Sequence, residues 1–214
     1  TGVARSFSAG SALNYFISSY QLRLDKCTTW QNYSDANKYK IEHALVSKTC
    51  LEDELNKNLT DDQVTGYTCG ELLFSPSLYE AATPEGQQPS ERVSSLMECD
   101  SIFNLIKHSI DNCDMKNKNI LWSNIILTGG SSQIPGLKER LQDKLCAICP
   151  PMSTPKITVA DDPILSCWQG GKICSQFIDT ETWLSKDQYH DDESNVIKTF
   201  VQYGITNTRA TNRS

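Results

Sequence analysis

No apolar run among these 214 residues approaches the length needed to cross a bilayer, so no membrane-spanning helix is expected. Positive charge is also in short supply: 20 Lys and Arg stand against 26 Asp and Glu, a net charge of -6. A protein that tracks a phosphate backbone needs a Lys- and Arg-rich face, so nucleic acid is not expected as a direct partner. The opening Thr1-Gly2-Val3-Ala4-Arg5 lacks the basic-then-apolar order of a signal peptide. It also lacks an initiator Met, from which we expect a fragment or a processed chain. Histidine is rare. His43, His108 and His190 are scattered, and no local spacing pairs one with a Cys or Ser as an activated nucleophile requires. No internal repeat is found.

What is present suits a globular chain of one or two small domains, with 38% hydrophobic and 21% charged residues. The nine cysteines are an odd number, and Cys50, Cys99, Cys113, Cys167 and Cys174 sit inside apolar patterns. Cysteine in that setting behaves as a small buried hydrophobe, and a reducing compartment, cytoplasmic or nuclear, is expected. The glycosylation-type triplets at Asn32, Asn58 and Asn212 then read as chance matches. Cys146-Ala147-Ile148-Cys149 has redox or zinc spacing, but it ends an amphipathic stretch and has no second pair, so buried packing is the expectation. The acids Asp187, Asp191, Asp192 and Glu193 lack EF-hand spacing and read as a solvated loop, as do Asp61-Asp62 and Asp161-Asp162.

Apolar spacing predicts a helix over Ala12–Leu24, a polar loop over Thr28–Lys38 and a second helix over Tyr39–Leu55. Thr65–Cys69 reads as β-prone, Gly70–Pro76 as a turn, and Ala81–Ser90, rich in Pro and Gln, as a linker. Ser94–Cys113 is the clearest helix by its three-four rhythm. Ser123–Leu127 reads as a buried parallel strand, and Pro135-Gly136 opens a helix that Pro150-Pro151 stops. A strand over Lys156–Val159, a glycine-led helix over Gln169–Ile178 and a polar tail after Val201 follow. Alternating strands and helices point to an α/β layered fold.

The unit that carries chemistry is the strand, then Thr128-Gly129-Gly130-Ser131-Ser132, then a helix. Glycines there let backbone approach a ligand, and the amides opening a helix favour an anion. A double glycine between strand and helix is ordinarily just a tight turn. The longer string Asn124-Ile125-Ile126-Leu127-Thr128-Gly129-Gly130-Ser131-Ser132-Gln133-Ile134-Pro135-Gly136 adds information, because it resembles the adenosine-binding segment of the actin family. Ser166-Cys167-Trp168-Gln169-Gly170-Gly171 resembles that family's Trp-x-Gly-Gly helix. Trp183-Leu184-Ser185-Lys186-Asp187-Gln188-Tyr189 resembles its Trp-Ile-Ser-Lys-x-Glu-Tyr segment. Fainter echoes lie at Ala9–Leu13 and Cys69–Pro76.

The resemblance implies an actin-like fold (RNase H-like/Hsp70-like ATPase), represented by its second-half subdomains only. Residues 1–90 would be a shortened outer tip region, 91–165 the inner α/β subdomain, 166–200 the C-terminal actin-like segment and 201–214 a polar tail. It implies ATP or ADP, with Mg, in a cleft between two halves, touched here by Gly10, Gly129, Gly130, Ser131 and Ile134. The first phosphate loop, the metal-linked acid and the water-positioning residues belong to an N-terminal half that this sequence does not contain. Phosphoryl transfer depends on such positioning, so no catalytic residue is expected here. Departures from the family pattern also bear on binding. Val46 and Ser47 stand where actins carry a nucleoside-contacting Lys-Glu pair, and Ile164 stands where they place a Lys near the adenine. Each lost group would be worth about 1–3 kcal/mol where desolvated.

Two functions follow from the resemblance. One is a structural subunit of a multiprotein assembly, of dynactin or chromatin-remodelling type, touching actin or another actin-related protein. The other is an ATP-binding or ATP-hydrolysing protein of which this is one half. A third, sugar-kinase or chaperone chemistry within the wider superfamily, fits poorly with the actin-type segments at Trp168 and Trp183.

Overall fold

The computed structural model describes residues 2–20, 30–178, 183 and 185–191. It divides into two compact units, Gly2–Ser166 and a second one from Cys167 onward. Among the described residues no helix is long and apolar enough to cross a membrane.

The first unit begins with helix α1 (Gly10–Tyr20), whose Leu13, Phe16 and Ile17 recur on one face and are fully buried. Phe16 stacks on Tyr20 at 5.1 Å and meets Tyr79 edge-on at 6.2 Å. Against α1 lies α2 (Trp30–His43), which occupies much of the stretch expected as loop. Its polar residues are a solvent face, with Ala36 buried and Gln31 bonded to Asp35 one turn on. The helix expected to run on to Leu55 stops at His43. Leu45 N–H donates to Gly66 O at 3.1 Å and Val46 N–H to Pro135 O at 2.9 Å. These distant acceptors replace the carbonyls four residues back and leave 44–50 extended. A short helix α3 (Leu51–Leu55) follows.

The β-prone stretch at 65–69 is helical, part of α4 (Asp61–Glu71). A capping box starts it: Gln63 N–H donates to Thr60 Oγ1 at 3.3 Å, and Thr60 N–H to Gln63 Oε1 at 3.0 Å. Asp61 and Asp62 thus form a first turn rather than a loop, and Asp62 accepts from the Tyr39 hydroxyl at 2.6 Å. Gly66 and Gly70, one turn apart, decide how close α4 comes to the extended segment. A Cβ on them would lie 2.0 Å from His43 O and 1.9 Å from Leu45 O.

After a 3-10 helix (Pro76–Ala82), the Pro- and Gln-rich stretch leads to Ser90, which caps α5 (Glu91–Met97) by accepting from Val93 N–H. Both flanking elements belong to the first unit. The single helix expected over Ser94–Cys113 is two, α5 and α6 (Ile102–Asp111), because Ile102 N–H turns to Leu73 O at 2.9 Å. Helix α7 (Met115–Trp122), which the sequence reading did not foresee, buries Trp122.

Strands β1 (Ile125–Leu127) and β2 (Ile157–Val159) pair in parallel, Ile125 opposite Ile157 and Leu127 opposite Val159. The parallel pairing matches the sequence reading, but full burial does not. Ile126 is 70% exposed, so only the face bearing Ile125, Leu127 and Ile157 packs inward. Helix α8 (Leu137–Ile148) supplies the buried stripe Leu137, Leu141 and Leu145. Its Gln142 also blunts the outer edge of β2, donating from Nε2 to Pro155 O at 2.6 Å and accepting Ile157 N–H at 3.2 Å.

The second unit takes up most of helix α9 (Ser166–Cys174), which starts three residues earlier than expected and continues as turns to Ile178. Trp168 is 65% exposed, and Ile173 and Phe177 are exposed as well. Lys186–Asp191 forms a helix, α10, where a solvated loop was expected. Asp192, Glu193 and the tail after Val201 lie outside the described residues, as does the end of the first expected helix. The cysteine expectation needs correction: Cys69 is buried, Cys50, Cys99, Cys113 and Cys149 are half-buried, and Cys146, Cys167 and Cys174 are exposed.

Candidate functional site

The turn after β1 sits at the carboxyl end of the parallel pair, where open α/β sheets place their ligands. Gly129 has φ +89, a left-handed conformation that side chains resist. A Cβ on Gly129 or Gly130 would meet nothing within 4 Å, so this backbone is open to an approaching group. Gly130–Gln133 form one 3-10 turn, locked where Ser132 Oγ donates to Gly129 O at 2.7 Å. The first amides of such a turn have no carbonyl within it to bond. Ile134, also expected to contact a cofactor, has its side chain in the core, so only its backbone can face a ligand.

Two other parts of the first unit converge on this turn. Gly10, at the start of α1, is so close that a Cβ there would lie 3.2 Å from Ser131 Oγ and 3.6 Å from Lys40 Nζ. The Lys40 ammonium donates to Gly10 O at 3.3 Å. Burial lowers its pKa below the usual lysine value, with the Cys69 sulfur opposing the shift. The Cys69 thiol is itself pushed up to about 12 by burial. The ion pairs among the described residues are His43–Glu42, Lys57–Glu54, Lys107–Asp111, Lys118–Asp111 and Arg140–Glu71, and none involves Lys40. A partly buried cation with no ion-paired carboxylate among the described residues favours an incoming anion.

The far side of the turn is held by one carbonyl. Pro163 O accepts from Gly129 N–H at 2.7 Å, Thr128 Oγ1 at 3.1 Å and Ser166 Oγ at 3.3 Å. The two hydroxyls also touch each other. Ile164, beside that carbonyl, is 63% exposed.

Three of the five expected contacts, Gly129, Gly130 and Ser131, thus share one open turn, and Gly10 joins them across space. Val46 and Ser47 are both buried: Val46 N–H donates to Pro135 O, just before α8, and Ser47 Oγ donates to Cys50 O at 2.8 Å. The cation at the site is Lys40, which the sequence reading passed over. Among the described residues no group of three or more His, Cys, Asp or Glu is placed to hold a metal ion.

A family model described as Actin matches residues 50–202 of the 214. The chain belongs to the actin family. It is 32% identical over 139 residues to Actin-related protein 6 of Arabidopsis thaliana, covering 64% of this chain and 29% of that protein. It is 30% identical over 138 residues to actin-29 of Dictyostelium discoideum, covering 62% of this chain and 31% of that one. The chain therefore spans under a third of the length of these relatives. As an actin-family chain it carries part of an actin-like α/β fold, with the parallel pair and glycine turn inside the matched region. Gly10 and Lys40 lie before residue 50, outside the match, so their place at the turn rests on the coordinates alone.

Proposed function

We propose that this chain is part of an actin-related protein that works as a structural subunit of a multiprotein assembly and holds a nucleotide by its phosphates. The observation that carries the nucleotide reading is Lys40, desolvated and bonded to Gly10 O, set beside Ser131 and the open Gly129-Gly130 backbone. In this reading the Lys40 ammonium neutralises phosphate charge. The opening amides of the 130–133 turn and the Ser131 hydroxyl donate to phosphate oxygens. The group set fits a phosphate chain. It does not supply a metal-holding cluster, so an accompanying Mg would be held by phosphate oxygens and by residues elsewhere.

The subunit role draws support from the relative named Actin-related protein 6 and from the exposed Trp168, Ile173 and Phe177. We assign 1–90 to an outer tip region, 91–165 to the inner subdomain and 166–200 to the C-terminal segment. The setting is a reducing one, cytoplasmic or nuclear, in a dynactin-type or chromatin-remodelling assembly. Free thiols at all eight described cysteines are consistent with that.

Titration of the native full-length polypeptide with ATP and Mg tests the nucleotide part. Saturable binding is expected, and Lys40→Ala should weaken it about ten- to hundredfold, the worth of a charge-assisted hydrogen bond of roughly 1.5–3 kcal/mol. No saturation at millimolar nucleotide would end this reading. For the assembly part, recovery from native extract only as an isolated monomer would contradict the subunit role.

A further inference from the structure

The Cys146-Ala147-Ile148-Cys149 pair, expected to be buried packing, is not buried: Cys146 is exposed and Cys149 half-buried, both as free thiols. Cys146 lies in the last turn of α8, and Cys149 is the residue on which the chain leaves it. Cys149 N–H still donates to Leu145 O at 2.9 Å. The two cysteines therefore keep helical spacing, with Cα atoms about 5 Å apart. That lies inside the range a disulfide bridges. Among the described residues no third His, Cys, Asp or Glu joins them to hold a metal ion. What the pair offers is two thiols within reach of each other.

The two sulfurs are held differently. Cys146 Sγ accepts from Gln142 Nε2 at 3.4 Å, and Gln142 is itself fixed by its bonds to Pro155 O and Ile157 N–H. An exposed sulfur with an amide donor beside it is open to a small oxidant. Cys149 Sγ points back over the same turn, donating to Cys146 O at 3.4 Å and to Ser153 O at 3.4 Å. It is partly shielded from solvent but adjacent to Cys146.

We infer that Cys146 and Cys149 form a peroxide-responsive pair, in which Cys146 is oxidised first and Cys149 closes a reversible disulfide. Hydrogen peroxide transfers one oxygen to the Cys146 thiolate as its O–O bond breaks, giving a sulfenic acid. The departing hydroxide takes up the proton that the thiol gave up and becomes water. The Cys149 sulfur then attacks the Cys146 sulfur, the S–O bond breaks, and a second water leaves. Two thiols and one peroxide thus become one disulfide and two waters. The bridge cannot form without moving the helix end. Cβ atoms three residues apart in a helix are about 5–6 Å apart, and a disulfide needs about 3.5–4.5 Å. The last turn of α8 must give way at Cys149, where the N–H bond to Leu145 O lengthens and Sγ withdraws from Ser153 O. A bridge formed against that resistance is readily reduced, as a transient disulfide in a reducing compartment must be.

The experiment treats the native full-length polypeptide with hydrogen peroxide, alkylates the remaining thiols and reads the peptide holding Cys146 and Cys149 by mass spectrometry. The expected product has lost two hydrogens and takes up no alkylating agent at either cysteine. Dithiothreitol should return both to alkylatable thiols. Amide exchange at Cys149 should quicken in the oxidised form and recover on reduction. Cys149→Ser should stop the reaction at a sulfenic acid on Cys146, trapped by dimedone, and Cys146→Ser should leave Cys149 a free thiol. Two thiols still alkylatable after peroxide, a bridge from Cys146 to a different cysteine, or Cys149 oxidised without Cys146 would each overturn the inference. So would a bridged protein whose Cys149 amide exchanges at the unoxidised rate.

Discussion

Gly136→Ala is expected to destabilise the fold by about 4 kcal/mol, at the upper end of single-residue effects. Two causes add. Gly136 has φ +84, which costs a residue with a side chain about 1–2 kcal/mol. A Cβ there would also lie 2.3 Å from Val46 O and 3.2 Å from Val46 C. That backbone cannot retreat, because Val46 N–H is bonded to Pro135 O and the Val46 side chain is in the core. Gly86 is the control. Its φ is +77, but nothing lies within 4 Å of its would-be Cβ, so Gly86→Ala should show only the conformational cost, about 1–2 kcal/mol. Denaturant midpoints of the two variants decide the matter, and equal losses would remove the packing argument.

Arg140→Met should cost about 3–5 kcal/mol near neutral pH. Arg140 and Glu71 are both buried, with Nη2 3.3 Å from Oε1, and Arg140 Nη1 also donates to Lys48 O at 3.3 Å. The pair ties α8 to α4 and to the extended segment before α3. Removing the guanidinium strands a carboxylate in the interior. Burial already raises the Glu71 pKa above its ordinary 4.5, against the opposing pull of Arg140. A carboxyl raised in the folded state contributes most when protonated, below that ordinary value. The contribution is lost as pH climbs through the folded pKa. Without Arg140 the folded pKa rises further, so the variant's deficit relative to wild type should shrink as pH falls from about 7.5 toward 5. Glu71→Leu combined with Arg140→Met should recover much of the loss, since an apolar pair needs no compensation. A deficit that stays constant with pH would mean that the stranded carboxylate is not its cause.

These two sites also show where the sequence was legible. β1, β2, the Pro135-Gly136 start of α8 and its Pro150-Pro151 stop are written in local residues: short apolar runs, a left-handed glycine, two prolines. The Thr128–Ser132 turn was readable for the same reason. The boundaries of α2 were not, because what ends it are bonds from Leu45 and Val46 to acceptors at Gly66 and Pro135, far along the chain. The same holds for the break before α6, which depends on Leu73 O. At 65–69, β-branched residues suggested a strand. The Thr60-x-x-Gln63 capping signal and the four-residue spacing of Gly66 and Gly70 outweighed them, and both could have been read.

The missed end of α2 carried a functional cost. With one helix drawn from Tyr39 through Leu55, Lys40 fell in its first turn without a role, while Val46 and Ser47 stood at the nucleoside position. With α2 closing at His43, Lys40 falls in its last turn, beside Gly10 and Ser131. Tyr39, held by Asp62 and by the His43 ring at 4.4 Å, fixes the helix that carries it.

The central claim is that Lys40 and the 129–131 turn form one side of a phosphate site. Amide hydrogen exchange of the native full-length polypeptide, with and without ATP, tests it most directly. Slower exchange at Gly130 and Ser131 on adding ATP, abolished by Lys40→Ala, is the expected result. Exchange at those two amides that ATP leaves unchanged, while protection appears elsewhere, would contradict it.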